Sequence, residues 1–244
     1  MNFFGKTSAS EETLVFISLS LLSYIFYFVI THSNKIKNKF IRKYGKEKTK
    51  IYWVLFQRGI GVFLYGLIPG FVILIFFSGK FFSYGLSLVN FAESIPWILG
   101  MSVIVILFSI LNAQSPSQQK KYPQIQTDEW SLSLILLSSS SWIVYLFSYE
   151  LFLRGIIFFS CLKSYGLWTS VIINILIYAF FHLHKNSKEI IGSLFLGFAF
   201  CLLTYRTGAI WTALLVHIML ALSSEWASIH FNPEMKIKVV GDRK

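Results

Sequence analysis

Seven long apolar runs divide this chain, roughly Thr13–Thr31, Ile51–Phe77, Ile95–Leu111, Trp130–Leu162, Leu167–His182, Ile190–Tyr205 and Gly208–Ile229. A hydrocarbon core about 30 Å thick takes about 20 apolar residues of α-helix to cross. No water in that core can satisfy a stray N–H or C=O, so only helices and closed barrels span it. The runs are continuous rather than ten-residue stretches of alternating polarity, which excludes a barrel. With 55% hydrophobic and 14% charged residues, the chain lacks the polar surface of a soluble domain. The expected fold is all-α, a polytopic transmembrane helix bundle of seven spans, or eight if Trp130–Leu162 divides. The second run is longer than a crossing requires, so a tilt or an interruption near Pro69-Gly70 is expected.

The formal net charge of +11 could suggest nucleic acid, but its distribution does not. Lys35, Lys37, Lys39, Arg42, Lys43, Lys46, Lys48 and Lys50 fill one loop, 33–50, between two apolar runs. That is a positive-inside signature within reach of anionic headgroups. With the N-terminus outside, the cytoplasmic segments carry sixteen Lys and Arg and the opposite side four, Lys6, Lys80, Lys163 and Arg206. The expected location is the bacterial cytoplasmic membrane, with the bilayer as partner and no nucleic acid. The N-terminus lacks a strongly basic start and a small-residue cleavage site, so its first apolar run reads as a retained span. Cys161 and Cys201 have no redox or metal spacing and read as small core residues.

Ionisable side chains inside these runs carry the functional signal, because burying them in hydrocarbon is costly. Glu150 and Arg154 are four residues apart on one helix face, where the cation can hold the carboxylate ionised and aimed at a water. His182 closes the fifth run, on the face of Tyr178; His184, two residues on, reads as interfacial. His217 lies mid-span among apolar neighbours and needs a polar partner, Glu150 or His182 being the natural ones. Neutral imidazoles can polarise a carbonyl, bind an oxyanion or ligate a metal. Arg58 is expected to be structural, reaching to the cytoplasmic surface along its own stem. A straight helix from Trp130 places Glu150 about 30 Å along, too far from a His182 at the cytoplasmic end. Three solutions are open: the helix begins outside the bilayer, it breaks at the weak serine run Ser138–Ser141, or there are eight spans.

Tyr149-Glu150-Leu-Phe-Leu-Arg154 resembles the Glu-Glu-x-x-x-Arg motif of the CAAX-protease and bacteriocin-processing (CPBP, or Abi) family of intramembrane proteases. Tyr178-Ala-Phe-Phe-His182 resembles its Phe-x-x-x-His motif, and His217 stands where its His-x-x-x-Asn motif begins. Three motifs in order within apolar runs are more specific than any one. The resemblance covers about Trp142–Ala221. It implies a protease core over 131–235, preceded by spans in 1–130 and followed by a basic tail, 236–244. By that resemblance Glu150 and His182 activate a water, His217 steadies the oxyanion and Arg154 orients the carboxylate. The substrate would be a membrane-associated peptide or protein. No cofactor is assigned; family members have been described both as metalloproteases and as glutamate-dependent. A divalent metal on Glu150, His182 and His217 therefore stays open.

Two positions depart from the pattern. The first Glu of the first motif is Tyr149, and the Asn of the third is Ala221. A neighbouring residue points about 100° away on a helix, so Glu150 does not automatically replace the missing glutamate. Two further readings follow: a non-catalytic member of the same fold, such as a bacteriocin-immunity or membrane-peptide-binding factor, and a small transporter with a proton relay.

Overall fold

The computed structural model describes residues 8–77, 81–183 and 187–238, without the side chains of 187 and 188. The chain order is α1 (Ala9–Thr31), α2 (Asn34–Val62), a π-helical turn (Phe63–Leu67), α3 (Ile68–Phe76) and a 3₁₀ turn (Phe81–Tyr84). There follow α4 (Phe91–Ala113), the short α5 (Pro116–Gln119), β1 (Glu129–Ser131) and α6 (Leu132–Glu150). A second π-helical segment (Leu151–Ile157) leads to α7 (Phe158–Tyr165), α8 (Leu167–Phe181), α9 (Ser187–Thr207), α10 (Trp211–Phe231) and β2 (Lys236–Lys238). Among the described residues six helical stretches are long and apolar enough to cross a membrane, and Leu167–Phe181 is a shorter apolar helix. The all-helical membrane bundle read from the apolar runs is thus observed. His184 and most of the expected basic tail lie outside the described residues.

Three local expectations change. The basic segment 33–50 is helical rather than a loop. Ser33 caps it by accepting from the Ile36 amide, and the helix bends at Gly45, whose φ of 77° needs no Cβ. Phe40 then packs back on Trp53 and Phe56, with ring centroids 5.5 and 5.1 Å apart. Near Pro69 the second run is not cut. The π turn ahead of the proline takes up the missing amide and the helix continues into α3.

Nor does the chain break at the four serines. Leu132–Tyr165 runs as one 34-residue stretch, about 50 Å long at 1.5 Å per residue. Even tilted by about 40° a stretch of that length exceeds the hydrocarbon core. The irregularity falls instead at Leu151–Ile157, directly after Glu150. The serine hydroxyls are used otherwise, as described below.

This interrupted helix is the most enclosed part of the bundle, with every residue of the π-helical segment buried. It packs on α1, α2, α8, α9 and α10, while α4 lies along α10 on the far side. A core cluster around Phe152, Leu153, Ile156 and Ile157 draws in Phe16 of α1, Tyr65 of the first π turn and Ile177 of α8. Two glycines allow the closest approaches. A Cβ on Gly155 would stand 2.7 Å from the Tyr84 carbonyl oxygen, and one on Gly66 would stand 2.6 Å from Ser148 Oγ.

Candidate functional site

The π-helical segment builds the site. In that turn the Leu153 carbonyl accepts from the Phe158 N–H, five residues on rather than four, and keeps a lone pair for a neighbouring helix. The Leu153 carbonyl accepts from Asn174 Nδ2 of α8 at 2.7 Å, and Asn174 Oδ1 takes a contact of 3.2 Å from Cys201 Sγ of α9. Asn174 and Cys201 are both 0% exposed. Helices α8 and α9 are thereby tied to the turn that carries Arg154. Both cysteines are free and buried, as expected of small core residues.

Glu150 and Arg154 are completely buried, with Arg154 Nη1 3.3 Å from Glu150 Oε2. The guanidinium lies 4.1 Å from the Tyr178 ring centroid and 5.4 Å from that of Phe200. None of its three nitrogens makes a well-aligned hydrogen bond among the described residues. Ring faces and one carboxylate therefore compensate the cation. Gly197 admits this packing, since a Cβ there would come within 2.8 Å of Tyr178 Cδ1 and 3.6 Å of Arg154 Nη2.

The other oxygen, Glu150 Oε1, is 2.6 Å from Nδ1 of His217 on α10. An ionised carboxylate can only accept, so Nδ1 carries the proton and Nε2 keeps the lone pair. The His217 side chain is 15% exposed against 0% for Glu150, so the histidine is the member of the pair that can meet a ligand. The structure therefore brings together Glu150, Arg154 and His217, and pairs His217 with the first of its two expected partners.

His182 caps the end of α8. Its Nδ1 lies 2.9 Å from the Tyr178 carbonyl, and its ring stands edge-on to that of Tyr178 at 4.6 Å. Tyr178 and Tyr149 are 6.0 Å apart, as are Tyr149 and His217. His182 is thus linked to the Glu150–His217 pair through two aromatic rings. Among the described residues no three His, Cys, Asp or Glu side chains form a group able to hold a metal ion. Glu150 has Arg154 and His217 on its two oxygens. Glu150, His182 and His217, the candidate metal ligands, do not form one such group among the described residues, and no step below passes through a metal.

Tyr149, in place of the first glutamate, is 5% exposed and packs among Tyr65, Tyr145, Tyr178 and Phe181. Ala221 sits in a separate apolar cluster with Trp142, Leu146 and Leu222. Ala221 offers no polar group to the site, and Tyr149 brings a phenol rather than a carboxylate beside His217.

A second polar centre joins α2, α6 and α10. Arg58 is 3% exposed rather than extended to the surface. It donates to the Ser138 carbonyl at 2.8 Å, to Ser141 Oγ at 2.6 Å and to Gln124 Oε1 at 3.2 Å, and lies 3.4 Å from Glu225 Oε2. Its guanidinium covers the Trp142 ring at 4.2 Å. Ser138 Oγ donates to Glu225 Oε1 at 2.9 Å. Glu225 and Asn174 were missed in the sequence reading. Each is a polar residue inside an apolar run, the signal that singled out His217.

Residues 128–223 match the family described as "Type II CAAX prenyl endopeptidase Rce1-like", a region that contains all three motifs. No curated protein and no solved structure matches the chain. The resemblance read from the motifs is supported, and the chain is an integral membrane protein with a region similar to that family.

Proposed function

Given that region, we propose that the chain is an intramembrane endopeptidase in which His217 is the general base and Glu150 its positioning partner. The contact of 2.6 Å between Glu150 Oε1 and His217 Nδ1 carries the reading. It holds the imidazole in one tautomer and leaves Nε2 to take a proton from an attacking water, and it stabilises the imidazolium that results. Arg154 keeps the carboxylate charged from its second oxygen. This differs from the direct role of Glu150 that the motifs imply, because both carboxylate oxygens already have partners. By its place in the second motif, His182 serves the scissile carbonyl or the leaving amine. The substrate is a membrane-associated peptide or protein whose cleaved bond reaches this pair.

A non-catalytic, peptide-binding role is favoured by one observation. Tyr149 fills the glutamate position with a packed ring, and Ala221 leaves the third motif without a donor. Cleavage of membrane-anchored peptides by the full chain in liposomes separates the two. Wild type should cut, His217→Ala should not, and a parallel lane with chelator reports any metal requirement. Peptide bound but uncut by wild type supports the binding role.

A further inference from the structure

We propose that the kinked basic helix of α2, together with the groove between α2 and α6, forms a binding site for an anionic phospholipid of the surrounding leaflet. The site stands apart from the proteolytic pair, so it does not depend on the function proposed above.

The helix Asn34–Tyr44 is amphipathic. Ile36, Phe40 and Ile41 are partly buried, whereas Lys35, Lys37, Lys39, Arg42 and Lys43 are exposed, as are Lys46 and Lys48 past the bend. It begins three residues after α1 ends at Thr31, and past Gly45 it continues into an apolar stretch long enough to cross a membrane. Its place is therefore at the edge of the bilayer, with the aromatic stack of Phe40, Trp53 and Phe56 beneath it. Rings and cations at that level suit the headgroup region. Only one acid, Glu47, falls within 33–50, and it pairs with Lys50 at 2.7 Å. The other cations have no carboxylate partner among the described ion pairs.

A positive-inside loop alone would need no more than these charges. The groove supplies the second observation. It is an open, shallow groove of about 320 Å³ between α2 and α6, lined by Ile51, Tyr52, Leu134 and Leu137. Lys48 and Ser133 stand at its rim. An apolar slot headed by an ammonium and a hydroxyl fits a glycerophospholipid, with an acyl chain in the slot and the phosphate at Lys48. Lys43 and Lys46, on the same exposed basic stretch, complement the headgroup's net charge.

The test is lipid retention by the full chain in mild detergent, read by native mass spectrometry with phosphatidylglycerol or phosphatidylcholine added. Phosphatidylglycerol should bind in preference, and its affinity should fall as salt is raised. A Lys43→Gln/Lys46→Gln/Lys48→Gln variant should lose at least about tenfold in phosphatidylglycerol affinity, at roughly 1 kcal/mol per cation near the surface. The matching triple Arg variant should keep it. Leu137→Trp, which fills the slot, should weaken both lipids. Equal retention of the two lipids by wild type, or binding unaffected by salt and by the Gln variant, would overturn the site. Should the Gln variant fail to fold, the wild-type lipid preference and its salt dependence still decide.

Discussion

His217 Nδ1 lies 2.6 Å from Glu150 Oε1, across 67 residues of sequence and between two helices of different spans. In the proposed mechanism that contact leaves Nε2 as the free nitrogen and makes His217 the base. Glu150→Gln keeps the shape but offers His217 an amide that can donate as well as accept, so the tautomer is no longer enforced. Replacing the buried carboxylate of a Ser-His-Asp triad by its amide costs about 10⁴ in kcat, and a loss of that order is expected in cleavage. The substitution also strips Arg154 of the one carboxylate it pairs with among the described residues, at a cost of about 3–5 kcal/mol if the cation stays buried. Thermal unfolding must accordingly be read beside cleavage. Glu150→Gln/Arg154→Met should regain stability without regaining activity. Activity restored together with stability would show that Glu150 acts only through the fold.

The Leu153 carbonyl depends on Asn174, which donates to it at 2.7 Å inside a fully buried turn. Asn174→Leu removes that bond and leaves the carbonyl to the Phe158 N–H alone, a loss of about 0.5–1.5 kcal/mol. Because Leu153 precedes Arg154, the turn should also relax toward regular helix and rotate the guanidinium away from Glu150. The expected result is a lower unfolding temperature together with a fall in kcat at little-changed KM. A stability loss with kcat intact would make Asn174 a purely structural tie.

The seven apolar runs made the bundle legible, because only helices of about that length satisfy their backbone in lipid. Glu150, Arg154 and His217 were legible for the related reason that each is expensive where it stands. The same logic applied to Asn174 and Glu225 and was not carried to them, since neither falls in a motif. What the residue pattern did not contain was the helical surplus at Leu151–Ile157. No proline or glycine pair announces a π turn there, whereas a four-serine run announces a weak point that tertiary contacts put to other use. Gly45 likewise looked like one more loop residue among lysines, although its positive φ is what turns two helices into a hairpin.

Tyr149 packs by its ring among Tyr65, Tyr145, Tyr178 and Phe181. Tyr149→Phe keeps that packing and should leave cleavage within about twofold of wild type, as isosteric core changes are well tolerated. Tyr149→Glu restores the family's residue but places a carboxylate among rings and beside buried Glu150. An uncompensated buried charge costs several kcal/mol. The variant should therefore be unstable and less active, not more. A gain of cleavage in Tyr149→Glu would mean that the ring occupies the place of the true catalytic group, and would move His217 from base to oxyanion partner.

Arg58 and Glu225 form the other buried pair, 3.4 Å apart, with side chains 4% and 2% exposed. Removing one partner leaves the other charged, buried and short of a counter-ion, which costs about 3–5 kcal/mol; replacing both with apolar residues of similar volume is often neutral or stabilising. Arg58→Met and Glu225→Met should each lower the unfolding temperature strongly, and Arg58→Met/Glu225→Met should recover most of the loss. The recovery cannot be complete, because Ser138 and Ser141 also lose a hydrogen-bond partner. The double variant, once folded, should cleave as wild type does, since this pair makes no contact with Glu150 or His217 among the described interactions. A stable double variant with no activity would contradict that separation and bring the second polar centre into the mechanism.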